Sequence, residues 1–390
     1  MAVEIPNNTP IVRLEPIQEL KQTKAVTELY VGQILKTVVV KALSENQVLI
    51  NINGQNLNAR TSHHVEPGEL LQVKVLQTEG EAVLQILRTP LQTNPLQTAL
   101  MQTLPKQAPP AYLLATLSGL GALPNLPATI QQQIQQLLAS ITPLTQLPQH
   151  LAQAISHSGI FWENSLLNWR RDNPKESLNL DFKGQCLRLL TMLNSQLPLS
   201  NTLRNPASYY ESDTLSLPAN FPQPQRSLLP LSFTDQPLEQ VLAILREHTA
   251  HTLARIETNQ LLHLLSAQEA PYSLMLDLPV NTLAGLEVIP LKLEDNRQKN
   301  AQASGWSISF AIHLTNLGDI QAKVSLQGSA IDIQLYAEKE ETVEFLAASQ
   351  QIFANLLQEL NLSLNLWNVN LGLFSEEIDT SNLHLLDIRI

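Results

Sequence analysis

Cys186 is the only cysteine in 390 residues. An internal disulfide framework and a cysteine-rich metal site are therefore excluded. Charged residues are scarce at 15%, and aromatic residues are scarcer at 5%. Gln, Asn, Ser and Thr stand in for the missing charge, a composition that fits modest cores joined by polar linkers. Basic residues are the short side of the balance: the net charge is −11. Nucleic-acid binders draw most of their affinity from Lys and Arg on phosphates, so general nucleic-acid binding is disfavoured. No stretch approaches the roughly 20 apolar residues of a membrane helix. The start, MAVEIPNNTPIVRLEP, has no basic opening followed by an apolar run, so no secretory signal peptide is expected. These absences predict a soluble chain made in the cytoplasm.

What is present divides the chain into segments. Residues 1–27 read as irregular, with Pro6, Pro10 and Pro16 breaking any helix. Residues 28–90 read as β. VGQILKTVVVKAL is rich in β-branched residues, and NQVLININGQNLNA alternates around Asn53-Gly54, a type I′ hairpin signal. A two-residue turn there pairs Ile52 with Gln55, Ile50 with Leu57 and Val48 with Ala59. Five short strands in this stretch predict a small barrel of the OB or SH3-like kind. Residues 91–150 are rich in Pro and Gln and read as a linker with one short helix, TIQQQIQQLLASI. A helical segment at 151–196 and a second linker at 197–232 follow. A long helix is predicted within 233–268, with Leu238, Val241, Leu242, Leu245, Leu253 and Ile256 on its apolar face.

Residues 269–374 return to β, before a tail at 375–390. GWSISFAIHL alternates strictly, with Trp306, Ile308, Phe310, Ile312 and Leu314 on one side. In LTNLGDIQAKVSLQGSAIDIQLYAE, a two-residue turn at Gly328-Ser329 pairs Leu326 with Ile331, Val324 with Ile333, Ala322 with Leu335 and Ile320 with Ala337. Every pair is apolar on one face, and the other face is polar. One helix from Glu340, with Val343, Leu346, Phe353, Leu356, Leu357 and Leu360 as its buried stripe, should cover the apolar side. LSLNLWNVNL then closes the sheet, its phase switch between Leu366 and Trp367 predicting a bulge. The result is an α+β domain with an antiparallel sheet and one packed helix, its polar face left wet for a partner.

Chemistry-bearing patterns are few, and each has a plainer explanation. His248 and His251 share a helix face, but the order is wrong for H-E-x-x-H, and a solvated face explains them better than a metal. His63-His64 point apart as neighbours do, which fits solvated side chains. SGLGALP lacks the third glycine and the lysine of a nucleotide loop and reads as flexible linker. Cys186 sits in an apolar helical pattern as a small buried residue. In the barrel, Lys36, Lys41, Arg60, Lys74 and Arg88 are cancelled by Glu45, Glu66, Glu69, Glu79 and Glu81. Tyr30 is its sole aromatic, so a base-stacking platform is missing. No catalytic, cofactor-binding or metal-binding residue is assigned, and no enzyme activity is expected.

The run LTNLGDIQAKVSLQG, then AIDIQLYAE, an amphipathic helix and LNLWNVNLG resembles the C-terminal domain of flagellar hook-length control proteins. That family opens a strand with a Leu-Gly pair, here Leu317-Gly318, then runs through a glycine turn, a second strand, a helix and a short closing strand. The resemblance spans roughly residues 306–372. Many members carry proline three residues before that leucine, where this chain has Leu314. SGIFWENSLL, DFKGQCLRLL and LARIETNQLLHLL resemble middle regions of longer members. The resemblance implies a molecular ruler, cytoplasmic before export and then secreted through the flagellar type III apparatus as the hook grows. Its N-terminal part would carry the export signal and sense hook or hook-cap subunits. Its C-terminal domain would touch the export-gate switch protein, with Leu317, Gly318, Ile320 and Val324 as the contact. No direct membrane insertion is implied. A stretched chain of this length reaches about 1,300 Å and a helical one about 590 Å, both long enough for such a ruler. The alternative from the residues alone is an OB-type binding module for nucleic acid or carbohydrate beside an unrelated α+β domain.

Overall fold

A computed structural model of the chain describes residues 11–14, 31–44, 47–52, 55–61, 65–77, 82–87, 95–121, 123, 126–172, 175–197, 221–225, 228–233, 236–266, 272–295 and 305–374. His63-His64 and the 375–390 tail fall outside these residues. The chain divides into two compact units, with the boundary after Gln102.

The first unit is a closed barrel. Strands β2 (Ile34–Ser44), β3 (Gln47–Ile52) and β4 (Gln55–Thr61) form a meander, and β5 (Leu70–Gln77) and β6 (Ala82–Leu87) extend it along the β2 edge. The β3–β4 register pairs Ile52 with Gln55, Ile50 with Leu57 and Val48 with Ala59, as the alternation predicts. One strand was hidden from the pattern: β1 (Ile11–Leu14) pairs with both β4 and β6 and closes the sheet. The prolines around it exclude a helix but not a short strand, and closure removes two open edges that would otherwise seek partners. Val39, Ile50, Val73, Val75 and Leu84 fill the interior.

The described residues of the expected linker at 91–150 are instead folded, those from Thr103 onward within the second unit. Helices α1 (Pro95–Thr103), α2 (Pro110–Leu120) and α3 (Ala128–Ala139) fall in this stretch; the last two bury Leu113, Leu117, Ile130 and Leu137 in one core with α7 (Phe182–Gln196) and α8 (Leu238–Ser266). Proline misled the reading. Pro95 and Pro110 are the first residues of α1 and α2, where the missing N–H has no helical partner to lose. Gly119 of SGLGALP lies inside α2, and a Cβ there would run into the Leu231 carbonyl oxygen, so this glycine is a packing contact. Strand β7 (Thr142–Pro143) and helices α4 (Leu147–Ser156), α5 (Trp162–Asp172) and α6 (Lys175–Leu180) complete the region before α7. Of the second expected linker, residues 198–220 are outside the description; Phe233, just beyond it, is buried in the helical core.

Strands β8 (Ser273–Thr282), β9 (Gly285–Asp295), β10 (Gly305–Leu314), β11 (Gly318–Gln327), β12 (Ala330–Ala337) and β13 (Ser363–Leu371) form, with β7, one sheet ordered β13-β12-β11-β10-β9-β8-β7. The β11–β12 pairs are those the sequence predicts, from Leu326↔Ile331 to Ile320↔Ala337. The two edges are parallel: β13 to β12 and β7 to β8. The β12–β13 connection contains helices that carry the chain back to the same end, which makes that pair parallel. Two helices do this, α9 (Glu340–Ala348) and α10 (Gln350–Glu359), meeting at Ser349, in place of the one expected. The bulge in β13 falls at Asn365, between the partners of Ile331 and Asp332, one residue earlier than the phase switch suggests.

Candidate docking surface of the C-terminal sheet

The sheet has one apolar and one polar face, set by strand alternation. On the apolar face, Leu274, Leu276, Leu278 and Ile289 pack with Ala154 and Ile160 at one end. Ala322, Ile331, Ile333 and Leu335 pack with Leu346, Leu357 and Trp367 at the other. The α9–α10 stripe is only partly buried, which corrects the expected one. Leu346 and Leu357 reach the core, but Phe353, Leu356 and Leu360 are exposed, as are Phe345 and Ile352 at 58% and 64%. With Leu366 and Leu371 of the edge strand, they leave apolar surface open on a domain whose core is otherwise closed.

The polar face is wet only in part: Ser325 and Asp332 are half-buried and Gln327 is exposed, but the rest is covered, against expectation. Gln321, Ser307, Ser309 and Asp319 are all buried. Arg255 of α8 reaches Asp277 of β8 at 2.7 Å, with both side chains buried. Further along, Gln321 donates to the carbonyl of Pro222 at 2.9 Å, and the Phe374 amide donates back to the Gln321 side-chain oxygen at 2.7 Å. Glu294 lies between two lysines, 2.9 Å from Lys292 and 3.8 Å from Lys323. Around Gln321 and Asp277 the face is therefore covered by the chain itself, a long-range event that strand periodicity cannot encode.

The Leu317-Gly318 turn joins β10 to β11 and is tied to the start of α9. The Thr342 hydroxyl donates to the Leu317 carbonyl at 2.6 Å, and Lys339 Nζ donates to the Asn316 carbonyl at 3.1 Å. Asp319 and Glu338 are joined twice: the Glu338 amide donates to the Asp319 carbonyl at 3.0 Å, and the Asp319 amide to the Glu338 carboxylate at 3.3 Å. His313 sits 2.5 Å from Asp319. Gly318 has φ +80°, a left-handed conformation that glycine takes without strain. Of the four residues read as a contact, Ile320 is core at 6% exposure and Val324 packs beneath α9–α10. Leu317 and Gly318 form the turn; the exposed groups beside it are Thr315, Asn316, Glu338 and Lys339.

His248 and His251, the helical pair, take no part in this surface and do not form a solvated face. His248 bonds through Nδ1 to the Thr116 hydroxyl at 2.6 Å, and burial holds its pKa down near 4; His251 is 1% exposed. His263 approaches the Ser273 carbonyl. Cys186 is fully buried, and burial pushes its thiol far up. Among the described residues no cluster of three or more His, Cys, Asp or Glu is arranged to hold a metal. No helix among them is long and apolar enough to cross a membrane.

Residues 294–376, which run from the end of β9 through β13, match the family model described as flagellar hook-length control protein FliK. The C-terminal domain is thus similar to the flagellar hook-length control family. Residues 14–85 match a second model, the TP0910 S1-like domain, over the barrel. No curated protein and no solved structure matches the chain. Two surfaces of the hook-length control domain were invisible to pattern reading. One is the open side of α9–α10; the sequence signal for it was the excess of large apolar residues over what one helix face can bury. The other is the covered part of the polar face, which has no local signal.

Proposed function

We propose that the chain is a flagellar hook-length control protein. In this reading it is exported by the flagellar type III apparatus, measures the growing hook and switches export from hook to filament subunits. The observation that carries it is the family match over residues 294–376. The hook-length control domain acts by being gripped, not by catalysis. The export-gate switch protein docks at the Leu317-Gly318 turn and on the neighbouring open side of α9–α10, where apolar side chains stand exposed on a hydrogen-bonded scaffold. Hook or hook-cap subunits meet the part of the chain that precedes this domain. Residues 11–87 add a small barrel to a ruler that has to unfold for a narrow channel, and the lack of a disulfide permits that.

Deleting the coding region and imaging the cell-surface hooks tests the reading. Overlong hooks without filaments are expected. Hooks of ordinary length carrying filaments in the deletion strain contradict it.

A further inference from the structure

The cover on the polar face has an identifiable chemistry. Residues 221–225 read Phe-Pro-Gln-Pro-Gln. Pro222 and Pro224 hold themselves and the residues before them in extended backbone, so the segment is built straight before it docks. Its aromatic end, Phe221, meets Tyr336 edge-on with ring centres 6.0 Å apart and Phe374 at 5.5 Å. Its middle is read by Gln321, whose side-chain nitrogen donates to the Pro222 carbonyl at 2.9 Å and lies 3.1 Å from the Gln223 side-chain oxygen. Its far end crosses to β8–β9, where Gln225 donates to Asp277 at 2.7 Å and forms a backbone bridge to Val288. An aromatic anchor, proline-fixed backbone and glutamines that bond main-chain groups are the elements of proline-rich peptide recognition.

The hold is incomplete. The side-chain oxygen of Gln225 is buried without a hydrogen-bond partner among the described residues, a cost that a better-fitting segment would not carry. Phe374, the lid over the aromatic end, is 44% exposed. Gln321 and Tyr336 lie within the matched hook-length control domain, whereas residues 221–225 lie outside it.

We propose that the polar face of this sheet is a groove for an extended aromatic–Pro–Gln–Pro–Gln segment. The chain fills it with its own Phe221–Gln225, and a partner protein's segment of the same kind displaces that strap. Displacement uncovers Gln321, Tyr336 and Asp277 together. The proposal goes beyond the export role and stands apart from it, because peptide binding is read in vitro without any hook assay.

The probe is a fluorescein-labelled synthetic peptide, ANFPQPQRS, spanning residues 219–227. Its anisotropy is followed on the full chain and on a full-length F221S/Q223A/Q225A variant, which keeps every groove residue. A tethered segment competes at an effective concentration of about millimolar, so the variant should bind about tenfold or more tighter than wild type. Adding Gln321→Ala to the variant should remove that gain, and a scrambled peptide should not bind. Equal binding of scrambled and native peptides overturns the proposal, as does a folded variant no tighter than wild type. A wild-type chain that sediments as a strap-exchanged dimer assigns the groove to self-association and overturns the partner reading. Should the triple variant lose its cooperative melt, Q225C/V288C gives the second measurement. Antiparallel partners have Cα atoms about 4.5–5.5 Å apart, within disulfide reach, and Cys186 is buried away from exchange. Oxidation should abolish peptide binding at the concentration that half-saturates wild type, and reduction should restore it; binding that ignores the lock overturns the groove.

Discussion

The Thr342 hydroxyl, on the first turn of α9, donates to the backbone carbonyl of Leu317 at 2.6 Å. Thr342 is 1% exposed, so the bond is sheltered from water. It fastens the turn that opens β11 to the helix that covers the sheet. Thr342→Val keeps the shape of the side chain and leaves the carbonyl without that donor, at a cost of about 1–3 kcal/mol. The expected result is a lower denaturation midpoint for the C-terminal sheet and faster hydrogen exchange at Gly318 and Asp319. An unchanged exchange rate would show that the turn does not depend on this bond.

Gly318→Ala perturbs the same turn by another route. At φ +80° a Cβ costs about 1–2 kcal/mol in backbone strain. It would also stand 3.1 Å from the Glu338 carboxylate and from Cε of Lys339, both ends of flexible side chains. The turn should therefore shift and the fold survive. In flagellated cells the variant is expected to be exported normally yet to leave overlong hooks without filaments. Ordinary hooks bearing filaments would remove the turn from the proposed contact.

Ile352 on α10 is 64% exposed, so its replacement separates docking from folding. Ile352→Glu removes apolar surface without opening the core. Stability should stay within about 0.5 kcal/mol, the range of ordinary surface changes, while export switching falls. A variant that melts like wild type and still switches would clear α9–α10 of a docking role.

Where structure follows from local rules, the residues told it in advance. The β11–β12 pairs follow from alternation and a two-residue turn, since a slip of one residue would turn Ile320, Ala322, Val324 and Leu326 to the other face. Pro110 could be seen but not interpreted: the same residue starts a helix or ends one, and only the packing of Leu113 and Leu117 decides. The site was half legible. Leu317-Gly318 marked the turn, yet its tie to Thr342 spans 25 positions, and the Gln321–Pro222 bond spans 99. Amphipathic periodicity also overstated burial at Phe353, Leu356 and Leu360, because it records a stripe but not the width of sheet available to receive it.

Asp181 caps α7 by accepting from the Gly184 amide at 2.9 Å, and its other carboxylate oxygen is buried without a partner among the described residues. Burial pushes its pKa up to about 6, against the backbone amides of Gly184 and Lys183. An acid with a raised folded pKa holds its proton more tightly in the folded chain. Its contribution is thus fully present below its unfolded value of 3.8 and is lost as pH rises through about 6. Asp181→Asn keeps an oxygen for the cap and cannot ionise. It should be more stable than wild type by about 3 kcal/mol near neutral pH and by less than about 1 kcal/mol near pH 4. Denaturant titrations of both chains at the two pH values check this; a difference independent of pH would mean that Asp181 is already neutral at pH 7.

Arg255 and Asp277 tie α8 to the sheet, at 2.7 Å with both side chains 3% exposed. Asp277 also receives Gln225, so one carboxylate serves the helix and the strap. Asp277→Ala leaves a buried guanidinium without that carboxylate, which costs about 3–5 kcal/mol. Arg255→Met with Asp277→Leu removes both charges while filling the space, and such exchanges are often neutral or stabilising. The single variant should therefore melt well below wild type, and the double variant should recover most of the loss. Both should loosen Gln225 to the same degree, because neither retains an acceptor at position 277. Thermal melts separate the first effect, and hydrogen exchange at Val288 reports the second. If the double variant stays as unstable as the single one, the ion pair is needed for more than charge balance, and α8 is placed by this geometry itself.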